Sequence, residues 1–215
     1  GFYLNVNSAD PAGHGVWHVD RSGHGRVHAV LPPHTIPNGI ARTAAGELLV
    51  ADSTGCAWRV RGPGQAEVWL RHDWLAARPW IGRFPGANGI QVWNNSVYVI
   101  VSDTANLVRV PILSNGSAGL PEIFAGDVPG DDFAVDANGT FYVTTHPYNV
   151  VIRIHQDGSR AIVATAEQGV AGCTYARFGV RAGDERNLYV VADGGLLHAG
   201  SGHTPAPAIV RLAIP

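Results

Sequence analysis

The sequence predicts an all-β protein of the β-propeller type, and three observations carry that reading. An apolar triplet recurs five times, a second motif built around Arg or His follows each copy, and the pair repeats at a nearly constant spacing. The triplets are Phe2-Tyr3-Leu4, Leu48-Leu49-Val50, Val97-Tyr98-Val99, Phe141-Tyr142-Val143 and Leu188-Tyr189-Val190, with starts 46, 49, 44 and 47 residues apart. The second motif reads Val16-Trp17-His18-Val19, Ala57-Trp58-Arg59-Val60, Leu107-Val108-Arg109-Val110, Val151-Ile152-Arg153-Ile154 and Ile209-Val210-Arg211-Leu212. A fixed period of this length marks a repeat architecture.

Each copy is rich in Val, Ile, Tyr and Thr, alternates with period two and is punctuated by Gly, Asn and Asp, so its elements are strands. A short strand precedes the triplet at Gly39-Ile40-Ala41, Gly89-Ile90-Gln91-Val92, Phe133-Ala134-Val135 and Thr174-Tyr175-Ala176. Another follows the second motif at 26–31, 66–70, 122–125 and 160–164. Four strands in about 45 residues are one propeller blade. Blades are expected near 1–32, 38–72, 88–126, 131–166 and 173–215, which is about 4.5 to 5 blades of a single domain. The only helical turn expected is at Trp74-Leu75-Ala76-Ala77-Arg78. The two middle strands occur five times, but the innermost and outermost occur four times each. A closed ring would then need a further blade before Gly1, because an open sector exposes strand edges. The first residue is Gly and the chain contains no Met, which fits a start that lies further upstream.

Composition narrows the function classes. The chain has 215 residues, of which 46% are hydrophobic and 15% charged, with 27 Gly and 14 Pro, so it is neither disordered nor collagen-like. A formal charge of −2 without a basic stripe argues against nucleic acid as a partner. No apolar run approaches the ~18 residues of a membrane span. All fifteen Lys-or-Arg positions are Arg, a bias without a structural explanation. The expected partner is a small-molecule substrate.

The motifs at the innermost strands carry a resemblance. Ile36-Pro37-Asn38-Gly39-Ile40, Ala87-Asn88-Gly89-Ile90, Asp131-Asp132-Phe133-Ala134-Val135-Asp136-Ala137-Asn138-Gly139 and Asn187-Leu188-Tyr189-Val190 resemble the senescence-marker-protein/gluconolactonase family of six-bladed propellers. The Asp-Asp-Phe-Ala variant resembles a fungal branch, some of whose members act in secondary metabolism and carry a blade before the segment that begins here. The resemblance implies a divalent cation, Ca²⁺ or Zn²⁺, with Asn88 and Asp131 as ligands and Asn38 touching substrate. The family's Glu ligand has no counterpart, and Asp132 stands where the family has Gly, which adds a charge.

The chemistry of these residue types agrees. Carboxylate and amide oxygens suit a hard cation, and a metal with an open position polarises a carbonyl and acidifies bound water. The three residues hold equivalent places, each at the entry to an innermost strand, although Asn-Gly and Asp-Asp also make plain turns. The loops between second and third strands share that face: Asp52-Ser53-Thr54, Ser102-Asp103-Thr104, Thr145-His146-Pro147-Tyr148 and Asp193-Gly194-Gly195. There Asp103 and His146 are candidates, with Asp131, for catalytic proton transfer or substrate contact, turn capping being the alternative for the first two. The long connection from His72 to Phe84 carries Trp74 and Trp80, which suggest a lid on an apolar substrate pocket or ordinary packing.

Other signals are weaker. The ten His show no ligand spacing; His14, His18, His24 and His28 read as solvated, and His18 shares its slot with Arg59, Arg109, Arg153 and Arg211 on a strand side expected to face solvent. Cys56 and Cys173 lie in different blades and do not define a disulfide. Sequons at Asn94, Asn115 and Asn138 fall in hairpin turns of the opposite face and favour a secreted over a cytoplasmic protein. The leading expectation is a metal-dependent hydrolase opening a lactone or related small ester. The alternatives are a metal-independent cyclase that positions its substrate in a cycloaddition, and a non-catalytic propeller that binds a partner on the same face.

Overall fold

A computed structural model describes residues 1–78, 84–196 and 205–214. The fold is a β-propeller, with five antiparallel sheets in sequence order. The first comprises β1 (Phe2–Val6), β2 (Gly15–Val19) and β3 (Gly25–Val30); the second β4 (Pro37–Arg42), β5 (Leu48–Asp52), β6 (Cys56–Gly62) and β7 (Gln65–Arg71). The third comprises β8 (Ala87–Trp93), β9 (Ser96–Val101), β10 (Asn106–Pro111) and β11 (Glu122–Ala125). The fourth comprises β12 (Phe133–Val135), β13 (Phe141–Thr145), β14 (Val150–Ile154) and β15 (Arg160–Thr165), and the fifth β16 (Cys173–Phe178), β17 (Asn187–Ala192) and β18 (Ala208–Ala213). Among the described residues the innermost and outermost strands occur four times each, as the repeat predicts. Two compact units divide the chain, Gly1–Asp127 with the first three blades and Val128–Pro215 with the last two.

The apolar triplets are contiguous because a middle strand is buried on both faces. In the first unit, Leu48 and Val50 of β5 join Val16, Ala29 and Leu31 of the first blade. Their neighbours Leu49 and Ala51 point the other way, into Ile90, Val97, Val99 and Val108 of the third blade. In the second unit, Tyr142 and Val151 of the fourth blade pack on Cys173, Ala176, Leu188 and Val190 of the fifth. Alternation of side chains along a strand makes this two-sided packing possible.

Two details of the repeat appear only in the structure. The middle residue of each triplet lies opposite the Arg or His of the second motif: Tyr3 and His18, Leu49 and Arg59, Tyr98 and Arg109, Tyr142 and Arg153, Tyr189 and Arg211. A register shift between third and fourth strands falls at the start of the second motif in four blades, at Val16/Trp17, Ala57/Trp58, Leu107/Val108 and Val151/Ile152.

Three expectations need correction. Arg59 does not face open solvent: it is 9% exposed and bonds Glu67 and the Gly116 carbonyl. His14 is buried, because the Ser8 N–H and the Thr35 hydroxyl occupy its two ring nitrogens. The helical turn is shorter than expected, a 3-10 turn at Asp73–Leu75 capped by His72. The Asn94 turn does form a hairpin, with Trp93 opposite Ser96 and both central residues at positive φ, as a two-residue hairpin requires. No helix among the described residues is long and apolar enough to cross a membrane.

Candidate functional site

One arrangement recurs within four blades: the entry to the innermost strand lies against the loop between the second and third strands. In the second blade a register shift separates the Pro37–Asp52 pair from Ile40–Val50, leaving Asn38-Gly39 in a bulge. The third blade repeats this at Asn88-Gly89, between Ala87–Val101 and Ile90–Val99. Bulges re-aim side chains at the end of a strand, so Asn-Gly here is a bulge and not a free turn. Gly39 serves a close approach, since a Cβ at that position would lie 2.5 Å from the Asn88 carbonyl oxygen.

The Asn side chains take matched partners. Asn38 Nδ2 donates to Ser53 Oγ at 3.4 Å, and Ser53 Oγ donates on to the Ala87 carbonyl. Asn88, 4% exposed, donates from Nδ2 to Ser102 Oγ at 2.9 Å. Asp52 is a buried hub: its carboxylate accepts from the N–H of Ile36, the N–H and hydroxyl of Thr54, Trp58 Nε1 and the Cys56 thiol. Burial alone would raise this carboxyl, but those donors outweigh it and hold it below its ordinary value of 3.8.

Asp103 is a tether. Its side chain is fully buried, and Oδ2 accepts from the Arg78 backbone N–H at 2.7 Å and from Arg78 Nε at 3.2 Å. Its own N–H donates to the Pro85 carbonyl. Asp103 therefore holds both flanks of the connection that was expected to form a lid. Trp74 on that connection is 40% exposed and meets the His72 ring edge-on at 5.2 Å, while Leu75 beside it is buried. Trp80 lies outside the described residues.

In the second unit three titratable groups meet. Asp131 precedes β12, His146 opens the 3-10 turn His146–Tyr148 after β13, and Asp193 follows β17. His146 Nε2 lies 2.7 Å from Asp193 Oδ2, and its Nδ1 lies 3.6 Å from Asp131 Oδ2. The three side chains are 18%, 25% and 22% exposed respectively, open enough for a ligand and screened enough for charge to matter. Burial works to raise the Asp193 carboxyl, but the bond from His146 and the N–H groups of Gly195 and Leu196 outweigh it and hold it below the ordinary carboxylate value. A carboxylate only accepts hydrogen bonds, so the 2.7 Å contact assigns the proton to Nε2. The other ring nitrogen, Nδ1, faces Asp131.

The backbone around this trio is built for it. The Asp131 N–H donates to the Thr144 carbonyl, and Thr144 Oγ1 donates to the Asp132 carbonyl, fixing the Asp-Asp step against the end of β13. Gly172 sits where only glycine fits: its φ is +66°, and a Cβ there would lie 1.8 Å from Asp193 Oδ1. Asp132, expected to add a charge, is 8% exposed and turns back to accept from the Phe133 N–H at 2.7 Å. Burial pushes its carboxyl well up, toward the neutral acid, and the nearby Asp131 charge works in the same direction. Cys56 and Cys173 are buried free thiols, pushed up by burial to about 12 and about 11.

The expected metal ligands offer oxygen donors, the kind Ca²⁺ takes, and both His146 nitrogens face carboxylates, which weakens the case for Zn²⁺. Among the described residues no group of three His, Cys, Asp or Glu side chains is arranged to hold a metal ion. Sequence reasoning placed Asp193 on a loop of the correct class without selecting it. Its contact with His146 spans 47 residues and two blades, and no local pattern announces that.

A repeated β-sheet blade whose strand entries and loops assemble polar side chains is the class that fold and site define. No family model matches the sequence, and no curated protein matches it. Solved structures do. Regucalcin from Agrobacterium tumefaciens, a calcium-binding protein, is 18% identical with a TM-score of 0.64 over 94% of this chain and 71% of its own. A luciferin-regenerating enzyme is 16% identical with a TM-score of 0.69 over 91% and 69%. A gluconolactonase from Xanthomonas campestris is 14% identical with a TM-score of 0.61 over 82% and 62%. At these identities the likeness is one of fold.

Proposed function

We propose that the protein is a lactonase-type hydrolase in which His146 is the general base. The observation that carries this is the His146 imidazole held between Asp193 on Nε2 and Asp131 beyond Nδ1. Asp193 fixes the tautomer and ring orientation. Nδ1 then takes a proton from the water that attacks a lactone or small-ester carbonyl, and both carboxylates stabilise the imidazolium that forms. The proton returns to the leaving oxygen when the ring opens.

A divalent cation, Ca²⁺ by the chemistry of its donors, belongs to the proposal with Asp131 as a ligand; when bound it would supply polarisation of the carbonyl. Support comes from the fold shared with a gluconolactonase and with a calcium-binding regucalcin, and from the oxygen chemistry of the donors. The test is steady-state hydrolysis of a panel of γ- and δ-lactones by the purified protein. We expect His146→Gln to lower kcat by about 10²–10⁴-fold, and EDTA to abolish activity that Ca²⁺ restores. No lactone opened, or full activity in His146→Gln, overturns the reading.

A further inference from the structure

Within the second unit, a groove of about 380 Å³ opens between the fourth and fifth blades, at the strand ends away from His146. Its size is that of a small-molecule site. We propose that it binds an oxyanion, a carboxylate or phosphate group, carried on a small apolar body. Arg153 of β14 and Arg211 of β18 line it, together with Val163, Leu212, Ala213 and Ile214.

The repeat shows what sets these two Arg apart. In the second and third blades the residue across from the central Arg on the outermost strand is Glu: Glu67 faces Arg59, and Glu122 faces Arg109. Those carboxylates neutralise their partners, at 2.8 Å from Arg59 Nε and 2.8 Å from Arg109 Nη1. In the fourth blade Ala161 takes that place. In the fifth, β18 is itself the outermost strand among the described residues. No carboxylate among the described residues pairs with Arg153 or with Arg211. On its other side each lies across from a neutral phenol, Tyr142 or Tyr189. The acids near those phenols are engaged: Asp136 accepts from the N–H groups of Asn138 and Thr140, and Asp184 from Asn187 Nδ2 and the Tyr189 hydroxyl. Arg153 Nε, the atom by which Arg59 holds Glu67, is buried with no hydrogen-bond partner among the described residues. Two like charges on one groove favour an anion, and the guanidinium fork matches carboxylate and phosphate oxygens. The aliphatic side chains beside them offer contact to an apolar body.

Saturation-transfer-difference NMR with benzoate, phenyl phosphate and the neutral benzyl alcohol tests this. Signals from at least one of the two anions are expected with the native protein, and they should exceed those of benzyl alcohol. They should fall about tenfold in Ala161→Glu, which restores the carboxylate that the second and third blades carry at this place, and roughly two- to tenfold in Arg211→Gln. Ala161→Gln, of the same size without the charge, should keep most of the signal. His146→Gln should keep it as well, which separates this groove from the lactonase site. No signal from either anion, an equal signal from benzyl alcohol, or anion signals unchanged in Ala161→Glu would each overturn the proposal. So would a loss in Ala161→Gln as large as in Ala161→Glu, or a loss in His146→Gln.

Discussion

Asp52 shows how a single buried carboxylate organises the strand ends of the second blade. Five donors converge on it, from Ile36, Thr54, Trp58 and Cys56. Its folded-state value lies below the ordinary 3.8, so its stabilising effect is complete above that pH. It is lost as the pH falls through the lower folded value. In Asp52→Asn the new amide NH₂ faces either Trp58 Nε1 or the Ile36 and Thr54 donors, so a buried N–H is left unmatched. We expect a loss of about 2–4 kcal/mol and a Tm lower by roughly 5–15 °C, measured by calorimetry at pH 7. The difference between the two proteins should shrink below pH 3.8. An unchanged Tm would mean that Asp52 is not the hub described. Asp193 works by related means on the chemical side, where Gly172 gives it room and three donors keep it ionised.

At the scale of strands and loops, the repeat is carried by geometry as well as by composition. The cross-strand pairing of Tyr98 with Arg109, Tyr142 with Arg153 and Tyr189 with Arg211 accounts for three of the repeats, in which a triplet with a central Tyr is followed by a motif centred on Arg. A Tyr ring beside a guanidinium is a favourable cross-strand pair. Asp103 supplies the element-scale prediction. Asp103→Ala removes the carboxylate that grips Arg78, and chymotrypsin should then cut after the exposed Trp74 on the same connection at least tenfold faster, as read by mass spectrometry of the fragments. Equal rates would refute the tether. The strands and their blade order were legible in the sequence, because period-two alternation and a constant spacing survive without any long-range information. The burial of Arg59 and His14 was not, because each depends on partners contributed by distant segments, Gly116 in one case and Thr35 in the other.

Across the whole molecule, five blades divide the labour between a scaffold and two chemically distinct places. Propeller packing fixes strand ends, and the residues placed there can vary without disturbing the apolar interior. The entry positions Asn38, Asn88 and Asp131 were picked out by the family resemblance of their motifs, which their equivalent places in the blades accompany, while the trio of Asp131, His146 and Asp193 could not be. Its defining contact joins two blades through loops. The central claim is that His146 is held with its proton on Nε2 and Nδ1 available as a base. The most direct test is a two-bond ¹H–¹⁵N correlation spectrum of the ¹⁵N-histidine protein at pH 8, with the ring of His146 assigned by its absence in His146→Gln. A ring carrying its proton on Nε2 is expected, and Asp193→Asn should disturb that state. A ring protonated at Nδ1, or a His146 signal indifferent to Asp193→Asn, would contradict it.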